Sequence, residues 1–407
     1  MSSLQNTPLS EQLRIVLFGL RNSGKSYLMN NIFEKEVSIV SDNAGTTTDP
    51  VTRSMEMGIL GPVSITDTAG LDDIGELGAL RIRKSVDRLS VCDISIFVTR
   101  ADLPPKEEEK KLFYEIAEKN KVVVFALTFA DNSINEEKIN WVGNYPKVLI
   151  DNVGKKGLDE LKKTLISLSD KLEYEITPVE GLVSENDFVI LVTPIDLAAP
   201  KGRLILPQVE TIRDLLDRDC GILIVKEREL KYFYDSLKIK PKLVITDSQA
   251  FSKVAADIPD DQMLTSFSIL FARKKGDLSY FVEGIKKLKS VPPDSKVLVL
   301  ESCSHHKQAD DIGTVKIPRL FKQLVQSKVE FEFAHNIPDE KKLKEYFLTI
   351  NCAGCMVSKN RMKRRLEALK ENNVYSINYG LFLAWVNGLL PRALEPFPLE
   401  YELYNRD

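Results

Sequence analysis

The sequence predicts an α/β protein of three domains whose sheets are mostly parallel. Short apolar runs alternate with longer amphipathic segments, which is the pattern of parallel strands joined by helical crossovers. A stretch with proline and glycine, 175–187, interrupts this alternation and is typical of a connection between domains. A chain of 407 residues is long enough for two or three separate cores. We place the three domains at 1–172, 173–263 and 264–407.

The first domain opens with a buried strand followed directly by a glycine-rich loop and a helix. Its predicted strands are 13–18, 63–67, 93–98 and 121–127, and its predicted helices are 25–34, 105–120 and 157–170. Strands of this length separated by helical segments favour a parallel sheet with helices on its faces.

The second and third domains repeat the alternation of apolar and amphipathic segments. Predicted strands are 188–193, 220–225, 242–246, 267–272, 297–301, 329–333 and 347–351. Predicted helices are 207–218, 227–237, 276–290, 317–327, 339–346, 357–372 and 380–389. Both domains are therefore expected to be α/β as well.

Composition argues against several classes of protein. The chain has 56 Lys and Arg against 59 Asp and Glu, so it lacks the strong positive charge of a dedicated nucleic-acid binder. Its apolar stretches are too short to cross a bilayer, and its first residues do not resemble a signal peptide, so we expect a cytoplasmic location without membrane contact. Five cysteines do not make a disulfide framework.

The glycine-rich loop, Gly19-Leu-Arg-Asn-Ser-Gly-Lys-Ser26, has the spacing of a phosphate-binding loop. In such a loop several backbone N–H groups point at the phosphates, and the following helix adds its positive end. Lys25 is expected to reach the β- and γ-phosphates, and the Ser26 hydroxyl to ligate Mg²⁺. The residues assigned to the nucleotide here are Asn22, Ser23, Gly24, Lys25, Ser26 and Tyr27.

Two further motifs follow the loop in the order expected of a switch GTPase. Asp67-Thr-Ala-Gly70 ends a strand, where the Asp67 carboxylate can hold Mg²⁺ and the Gly70 N–H can sense the γ-phosphate. Thr47, between the two motifs, is expected to close onto Mg²⁺ when triphosphate is bound. Lys25, Thr47 and Gly70 are thus the candidate catalytic residues.

These motifs resemble the GTPase family that includes the tRNA-modification and ribosome-assembly GTPases. The resemblance implies that Asn22 ligates a potassium ion beside the phosphates. Leu71 stands where Ras-like proteins carry a glutamine that orients water, so we expect slow, cation-dependent GTP hydrolysis.

The guanine-reading motif departs from that family. The fourth strand should end in Asn-Lys-x-Asp, but here it ends in Thr128-Phe-Ala-Asp131. Asp131 can still accept hydrogen bonds from guanine, whereas the asparagine is lost. Phe129 replaces the lysine, and either stacks on the base or packs in the core. We expect a weakened preference for guanine.

Three cysteines in the third domain form a candidate metal site. Cys352-Ala-Gly-Cys355 follows a predicted strand, and Cys303 follows another, with His305 and His306 beside it. Three thiolates with an open fourth position suit an iron–sulfur cluster or zinc, and a Cys-x-x-Cys pair alone would also suit redox chemistry. Cys92 and Cys220 lie in apolar strands and are expected to be inert core residues.

Taken together, the chain resembles the HydF family, the GTPase maturation factors of [FeFe]-hydrogenase. That family joins a GTPase domain, a dimerisation domain and an iron–sulfur cluster domain, and its cluster motif is Cys-x-His followed by His-Cys-x-x-Cys. Here the motif reads Cys303-Ser-His305 and Asn351-Cys352-Ala-Gly-Cys355, with Asn351 in place of the second histidine. The fourth ligand is left open between His305, His306, Glu301 and water.

The resemblance implies a homodimeric scaffold that binds GTP, Mg²⁺ and K⁺ and carries a [4Fe–4S] cluster on Cys303, Cys352 and Cys355. Its expected partners are radical SAM maturation enzymes, which make a diiron precursor, and the apo-[FeFe]-hydrogenase that receives it. The alternative is a potassium-dependent GTPase of tRNA or the ribosome with a structural zinc site. An enzyme that uses the cluster as a redox centre is a third possibility.

Overall fold

A computed structural model of the chain divides into two compact units, Met1–Tyr174 and Glu175–Asp407. The structure describes residues 9, 11–35, 41–43, 51–68, 92–120, 122–172, 176–194, 204–301, 311–352, 354 and 357–406. None of the helices in these ranges is both long enough and apolar enough to cross a membrane.

Within its described residues, the first unit holds one sheet of seven strands. The strands are β1 (Leu13–Phe18), β2 (Ser41–Asn43), β3 (Val51–Glu56), β4 (Pro62–Asp67), β5 (Ile94–Arg100), β6 (Val123–Thr128) and β7 (Lys147–Leu149). The helices are α1 (Lys25–Lys35), α2 (Glu107–Lys119), α3 (Glu136–Val142) and α4 (Leu158–Ser169). The strand order is β2-β3-β4-β1-β5-β6-β7. The pairs β2–β3 and β3–β4 are antiparallel, and the other pairs are parallel.

The first sheet is buried on both faces, as a parallel sheet with helical crossovers requires. Along β1, Ile15 and Leu17 enter one core, and Val16 and Phe18 enter the other. All four side chains are at most 2% exposed. The loop after β1 therefore leaves from a strand that is fixed by packing on both sides.

The second unit holds two four-stranded parallel sheets in its described part. The first has the order β11-β10-β8-β9, and the second has the order β13-β12-β14-β15. Their strands are β8 (Phe188–Val192), β9 (Gly221–Val225), β10 (Leu243–Thr246), β11 (Leu264–Ser266), β12 (Ser295–Leu300), β13 (Val329–Ala334), β14 (Tyr346–Asn351) and β15 (Tyr375–Asn378).

Eleven helices are described in the second unit. They are α5 (Leu206–Asp217), α6 (Leu230–Ser236), α7 (Phe251–Asp257), α8 (Phe267–Lys275), α9 (Leu278–Lys287), α10 (Ile317–Leu324), α11 (Glu340–Leu343), α12 (Lys359–Glu371), α13 (Tyr379–Val386), α14 (Leu390–Leu394) and α15 (Pro398–Asn405). One continuous apolar core includes residues of both sheets. The predicted fold class, three α/β domains with mostly parallel sheets, is confirmed.

The predicted strand 267–272 is wrong, because these residues form most of α8. The Ser266 hydroxyl accepts a hydrogen bond from the Ile269 N–H at 3.3 Å and caps the helix. The helix packs against α5, α12 and α13, so it is apolar around most of its circumference. A short apolar run of this kind has no periodicity that separates a buried helix from a buried strand.

Smaller differences lie at the ends of elements and in polar segments. The predicted helix 339–346 ends early, at Leu343, because β14 begins at Tyr346. The edge strands β2, β7, β11 and β15, and β3 beside β2, were not predicted, since these strands are very short or carry few apolar residues. The domain boundaries at 172/173 and 263/264 stay predictions.

Candidate functional site

The phosphate loop lies between β1 and α1, and two of its glycines are required by the backbone. Gly19 has φ +150°, and a Cβ there would lie 2.2 Å from the Val98 carbonyl oxygen. Gly24 has φ +91°, and a Cβ there would lie 2.9 Å from the Asn152 amide nitrogen. The loop therefore passes so close to β5 and to the β7–α4 connection that side chains at these two positions are excluded.

Lys25 arches back over its own loop. Its Nζ donates to the carbonyl oxygens of Gly19, at 3.0 Å, and Leu20, at 2.8 Å, and the residue is buried. These bonds hold the ammonium group at the mouth of the loop. A bound phosphate can replace the carbonyl oxygens as acceptor without moving the lysine far.

Ser26 and Asp67 meet beside the loop. The Ser26 hydroxyl donates to Asp67 Oδ2 at 2.5 Å, whereas the buried Oδ1 of Asp67 finds no hydrogen-bond partner among the described residues. Burial raises the pKa of Asp67, and the bond from Ser26 and the charge of Lys25 partly oppose this. A hydroxyl next to a carboxylate with an unused oxygen is a donor set that fits Mg²⁺.

Thr128, at the end of β6, connects the expected base site to the phosphate loop. Its hydroxyl donates to the carbonyl oxygen of Ser23 at 2.6 Å and to that of Thr99 at 3.1 Å. Asp131 follows on the exposed turn after β6. The side chains expected to read the base therefore lie on a turn that is tied to the loop expected to hold the phosphates.

Sequence reasoning missed Asn152, in the connection between β7 and α4. Its amide nitrogen donates to the Gly24 carbonyl oxygen at 3.4 Å, and its own backbone carbonyl accepts from Asn31 at 2.8 Å. The segment Val153-Gly-Lys-Lys-Gly157 after a short apolar strand is the signal that marks this turn in the sequence. Asn152 thus braces the start of α1.

Thr47 and Gly70 lie outside the described residues, so their assignment stays a prediction. Asn22 and Tyr27 are exposed at the loop and at the start of α1, and Ser23 is buried within the loop. Asn22 has φ +58°, a left-handed conformation that asparagine tolerates better than most residues.

In the second unit, the carboxyl end of β12 lies between those of β13 and β14. Leu300 is in register with Ala334 on one side and with Asn351 on the other. The Cys352 N–H donates to the Leu300 carbonyl oxygen at 3.1 Å, and Cys352 is buried. Cys303, His305 and Cys355 lie outside the described residues, and within the described part no three histidine, cysteine or carboxylate side chains gather as a metal site.

Asn351 is engaged inside the protein. Its amide nitrogen donates to the Ser376 hydroxyl at 2.7 Å, and its amide oxygen accepts from Arg365 at 3.2 Å. Both Asn351 and Arg365 are buried. Asn351 therefore connects β14 to β15 and α12, and its amide oxygen already has a partner.

Arg365 brings a buried positive charge to this edge of the sheet. Burial lowers the pKa of Arg365, and the negative charge that Cys352 carries as a thiolate opposes that effect. Its guanidinium also donates to the His335 carbonyl oxygen at 3.2 Å. A buried cation next to a cysteine favours the thiolate, which is the form that binds metal.

His335 is a second residue that sequence reasoning missed, because its neighbourhood depends on the order of the strands. It follows β13, and its ring Nδ1 lies 2.7 Å from the Glu301 carbonyl oxygen. When Nδ1 carries the proton, that bond leaves Nε2 as the nitrogen with a free lone pair.

The cysteines Cys92 and Cys220 are buried, as expected, and burial raises the pKa of Cys92 to about 12.

Three family models match the chain. The 50S ribosome-binding GTPase model matches residues 14–129. The hydrogen maturase F dimerization domain matches residues 179–276, and the hydrogen maturase F tetramerization domain matches residues 279–396. The two maturase models together cover more than half of the chain.

The chain belongs to the hydrogen maturase F family. Its first unit is a P-loop GTPase domain, and its second unit contains the two oligomerisation domains of that family.

Curated relatives are similar over less than half of this maturase F chain. The tRNA modification GTPase MnmE of Lachnoclostridium phytofermentans is 29% identical over 197 residues, which are 47% of this chain and 41% of the relative. GTPase Der of Campylobacter hominis is 32% identical over 181 residues, 43% of this chain and 38% of the relative. The chain thus spans about two fifths of the length of these relatives.

Two solved structures are also similar. The G domain of the FeoB iron transporter of Thermotoga maritima has 23% identity and a TM-score of 0.31, and the match covers 39% of this chain and 99% of that one. A variant of Aquifex aeolicus Era bound to GDP.AlF4- has 17% identity and a TM-score of 0.34, and the match covers 60% of this chain and 97% of that one.

Proposed function

We propose that this maturase F chain is a GTP-dependent scaffold that holds a [4Fe–4S] cluster, receives a diiron precursor and delivers it to apo-[FeFe]-hydrogenase. The observation that carries the proposal is the presence of both maturase F oligomerisation domains behind a phosphate loop on one chain. The working division is a GTPase domain at 1–172, a dimerisation domain at 173–263 and a cluster domain at 264–407.

The GTPase domain would bind GTP through residues 22–27, with Lys25 on the β- and γ-phosphates. Ser26, Asp67 and Thr47 would hold Mg²⁺, which neutralises charge on the phosphates when it is bound. Asn22 would ligate K⁺, and the Gly70 N–H would contact the γ-phosphate. The close contact of Ser26 with Asp67 supports this arrangement. Turnover is expected to be slow, because Leu71 cannot orient water.

The cluster would be held by Cys303, Cys352 and Cys355, which leaves one iron without a thiolate. An exchangeable fourth position suits a carrier, because a cluster locked by four thiolates offers no site to a diiron unit. Support comes from Cys352, which directly follows β14, a neighbour of β12 in the sheet. In the sequence, Cys303 comes three residues after Leu300, where β12 ends. His335, with Nδ1 turned to the Glu301 carbonyl, joins His305, His306, Glu301 and water as a candidate fourth ligand.

Self-association is expected from the two oligomerisation domains, and β9 is the candidate contact in the first of them. Among the described strands, β9 lies at the edge of its sheet, where backbone groups can pair with another strand. Ile224 on β9 is 44% exposed, and Val209 and Leu216 on the adjacent α5 are 47% and 57% exposed. Apolar side chains at a sheet edge favour a partner that continues the sheet.

The function is tested by transfer. The protein is purified without oxygen, loaded with iron and sulfide, incubated with the radical SAM maturation enzymes and their substrates, re-isolated and mixed with apo-[FeFe]-hydrogenase. The proposal predicts hydrogen evolution only when the loaded protein is added. If the radical enzymes alone activate the hydrogenase equally well, the carrier role is wrong.

The alternative, a GTPase of tRNA or the ribosome with structural zinc, has a specific basis in the MnmE and Der relatives. It predicts tight binding of tRNA or ribosomal subunits and one zinc per chain. Electrophoretic mobility shifts with tRNA and metal analysis of the purified protein separate the two functions.

A further inference from the structure

Phe129 directly follows a fully buried strand but does not join its core. Phe97, Phe113 and Phe125 pack together with ring centroids 4.6 to 5.4 Å apart, and each is at most 1% exposed. Phe129 belongs to none of the apolar cores found among the described residues, and it is half-buried. Its presence is therefore not explained by packing of β6.

The backbone at Phe129 adopts an unfavourable conformation. Its φ is +57°, in the left-handed region that bulky residues rarely occupy. The turn is held by the Ala130 N–H, which donates to the Ile150 carbonyl at 3.4 Å, and by the Asn132 N–H, which donates to the Phe129 carbonyl at 3.2 Å. A bulky side chain that lies outside the core on such a backbone points to a functional constraint.

The Phe129 ring is held in place by Arg100, at the end of the neighbouring strand β5. The Arg100 guanidinium carbon lies 4.2 Å from the ring centroid. Both oxygens of Asp102 accept from Arg100, at 2.9 and 2.7 Å, and Asn132 adds a bond to Asp102 at 3.2 Å. Arg100 holds the pKa of Asp102 down at about 2, so the pair is ionised at physiological pH. The guanidinium therefore has little freedom to leave the ring.

The same turn has lost one polar group that would contact the base. Thr128 is fully buried, and its single hydroxyl proton is directed at the carbonyl oxygens of Ser23 and Thr99. It has no further proton to donate to a base. Thr128 thus keeps the turn next to the phosphate loop, while recognition of the base is left to Phe129 and the exposed Asp131.

We infer that Phe129, backed by Arg100, is the surface on which the nucleotide base stacks, and that Asp131 alone reads the edge of the base. This inference rests on the proposed function, GTP binding at the phosphate loop. Stacking tolerates any base, because every base has a π-face. Asp131 can accept hydrogen bonds from the ring N–H and the amino group of guanine, whereas adenine presents a ring acceptor to it. The expected order of affinity is GDP, then IDP, then ADP.

The test is isothermal titration calorimetry of the full chain with GDP, IDP and ADP, together with thermal unfolding. Phe129→Leu removes the ring and keeps an apolar side chain, so it should raise the Kd for GDP and IDP by the same factor, roughly ten-fold. Phe129→Tyr keeps the ring and should recover most of the affinity. Tyr114→Leu, which removes an exposed aromatic on α2, is the matched control and should leave the Kd unchanged.

Each possible result of these titrations either supports or contradicts the inference. Equal affinity of the wild type and Phe129→Leu for GDP would overturn the inference and leave GTP binding intact. A loss of affinity in Phe129→Leu that is confined to GDP would also overturn it, because stacking does not distinguish GDP from IDP. The same holds if Phe129→Leu and Phe129→Tyr both lose affinity and both have a lower melting temperature than the wild type, because the ring would then act only on stability. A wild-type chain that binds none of the three nucleotides contradicts the proposed function itself.

Discussion

At the scale of residues, the phosphate loop could be predicted because all its parts are consecutive in sequence. The roles of Lys25 and Ser26 could be predicted from the glycine spacing and the preceding strand alone. The contacts of Thr128 with Ser23 and of Asn152 with Gly24 join residues 105 and 128 positions apart, and no local pattern encodes them. Whether Phe129 packs or stacks likewise depended on Arg100, which comes from another strand.

Asp67 is the residue at which charge and burial conflict. Because burial raises the pKa of Asp67, the folded protein holds that proton more tightly than the unfolded chain does. The stability from this group is present at low pH and is lost as pH rises through the raised pKa. Asp67→Asn removes the buried charge, so we predict that it raises the free energy of unfolding of the nucleotide-free protein at pH 7 by about 1 kcal/mol.

Urea denaturation at pH 7 and at pH 4 checks this prediction. The gain in Asp67→Asn should shrink at the lower pH, because the raised pKa of Asp67 leaves a larger fraction of the wild-type carboxyl group protonated there. The same variant should lose Mg²⁺-dependent nucleotide affinity, because it removes a proposed ligand. Ser169→Ala, which removes a hydroxyl group at the end of α4, serves as a control. A variant less stable than the wild type at pH 7 would contradict the account of Asp67.

At the scale of elements, strands and amphipathic helices could be predicted, but the environment of an apolar segment could not. The strands β1, β4, β5 and β6 match their predictions closely, because each is a short apolar run between turns. The run 267–272 has the same appearance and forms a helix, since α8 packs against other helices and none of its residues is exposed. For the candidate cluster site, the cysteines were visible in sequence, whereas the closeness of His335 to Glu301 required the order β13-β12-β14.

The β9 edge gives a prediction at this scale. Ile224→Lys places a charge on the proposed contact strand and should convert an oligomer formed through this edge to a smaller species, because an unpaired lysine is costly to bury. Size-exclusion chromatography with light scattering measures the change. Ile239→Lys, at a residue 69% exposed in the same domain, should leave the mass unchanged. An unchanged mass for Ile224→Lys would place the contact elsewhere.

At the scale of the whole molecule, the chain joins two units with separate cores. The phosphate loop belongs to the unit Met1–Tyr174, and Cys352 belongs to the unit Glu175–Asp407. A GTPase domain followed by two further maturase F domains was predicted, because the phosphate loop and the cysteine motif on one chain resemble that family. The way in which the nucleotide state affects the second unit could not be predicted, since coupling depends on contacts that no motif encodes.

Separate cores predict separable functions. Lys25→Ala should raise the Kd for GTP at least a hundred-fold, because it removes the buried ammonium group from the phosphate site. It should leave the iron content after reconstitution unchanged. Calorimetry and iron analysis of the same preparation measure both quantities. Loss of iron in Lys25→Ala would show that the two units do not act independently.

The central claim is that thiolates at the carboxyl edge of the last sheet hold an iron–sulfur cluster. The most direct measurement is iron and sulfide per chain after anaerobic reconstitution, for the wild type and for Cys352→Ser with Cys355→Ser, each with its electron paramagnetic resonance spectrum after reduction. The account predicts roughly four irons and four sulfides in the wild type and almost none in the double variant. Both proteins should bind GTP equally. A colourless wild-type protein that retains zinc, or a double variant with full iron content, would contradict it.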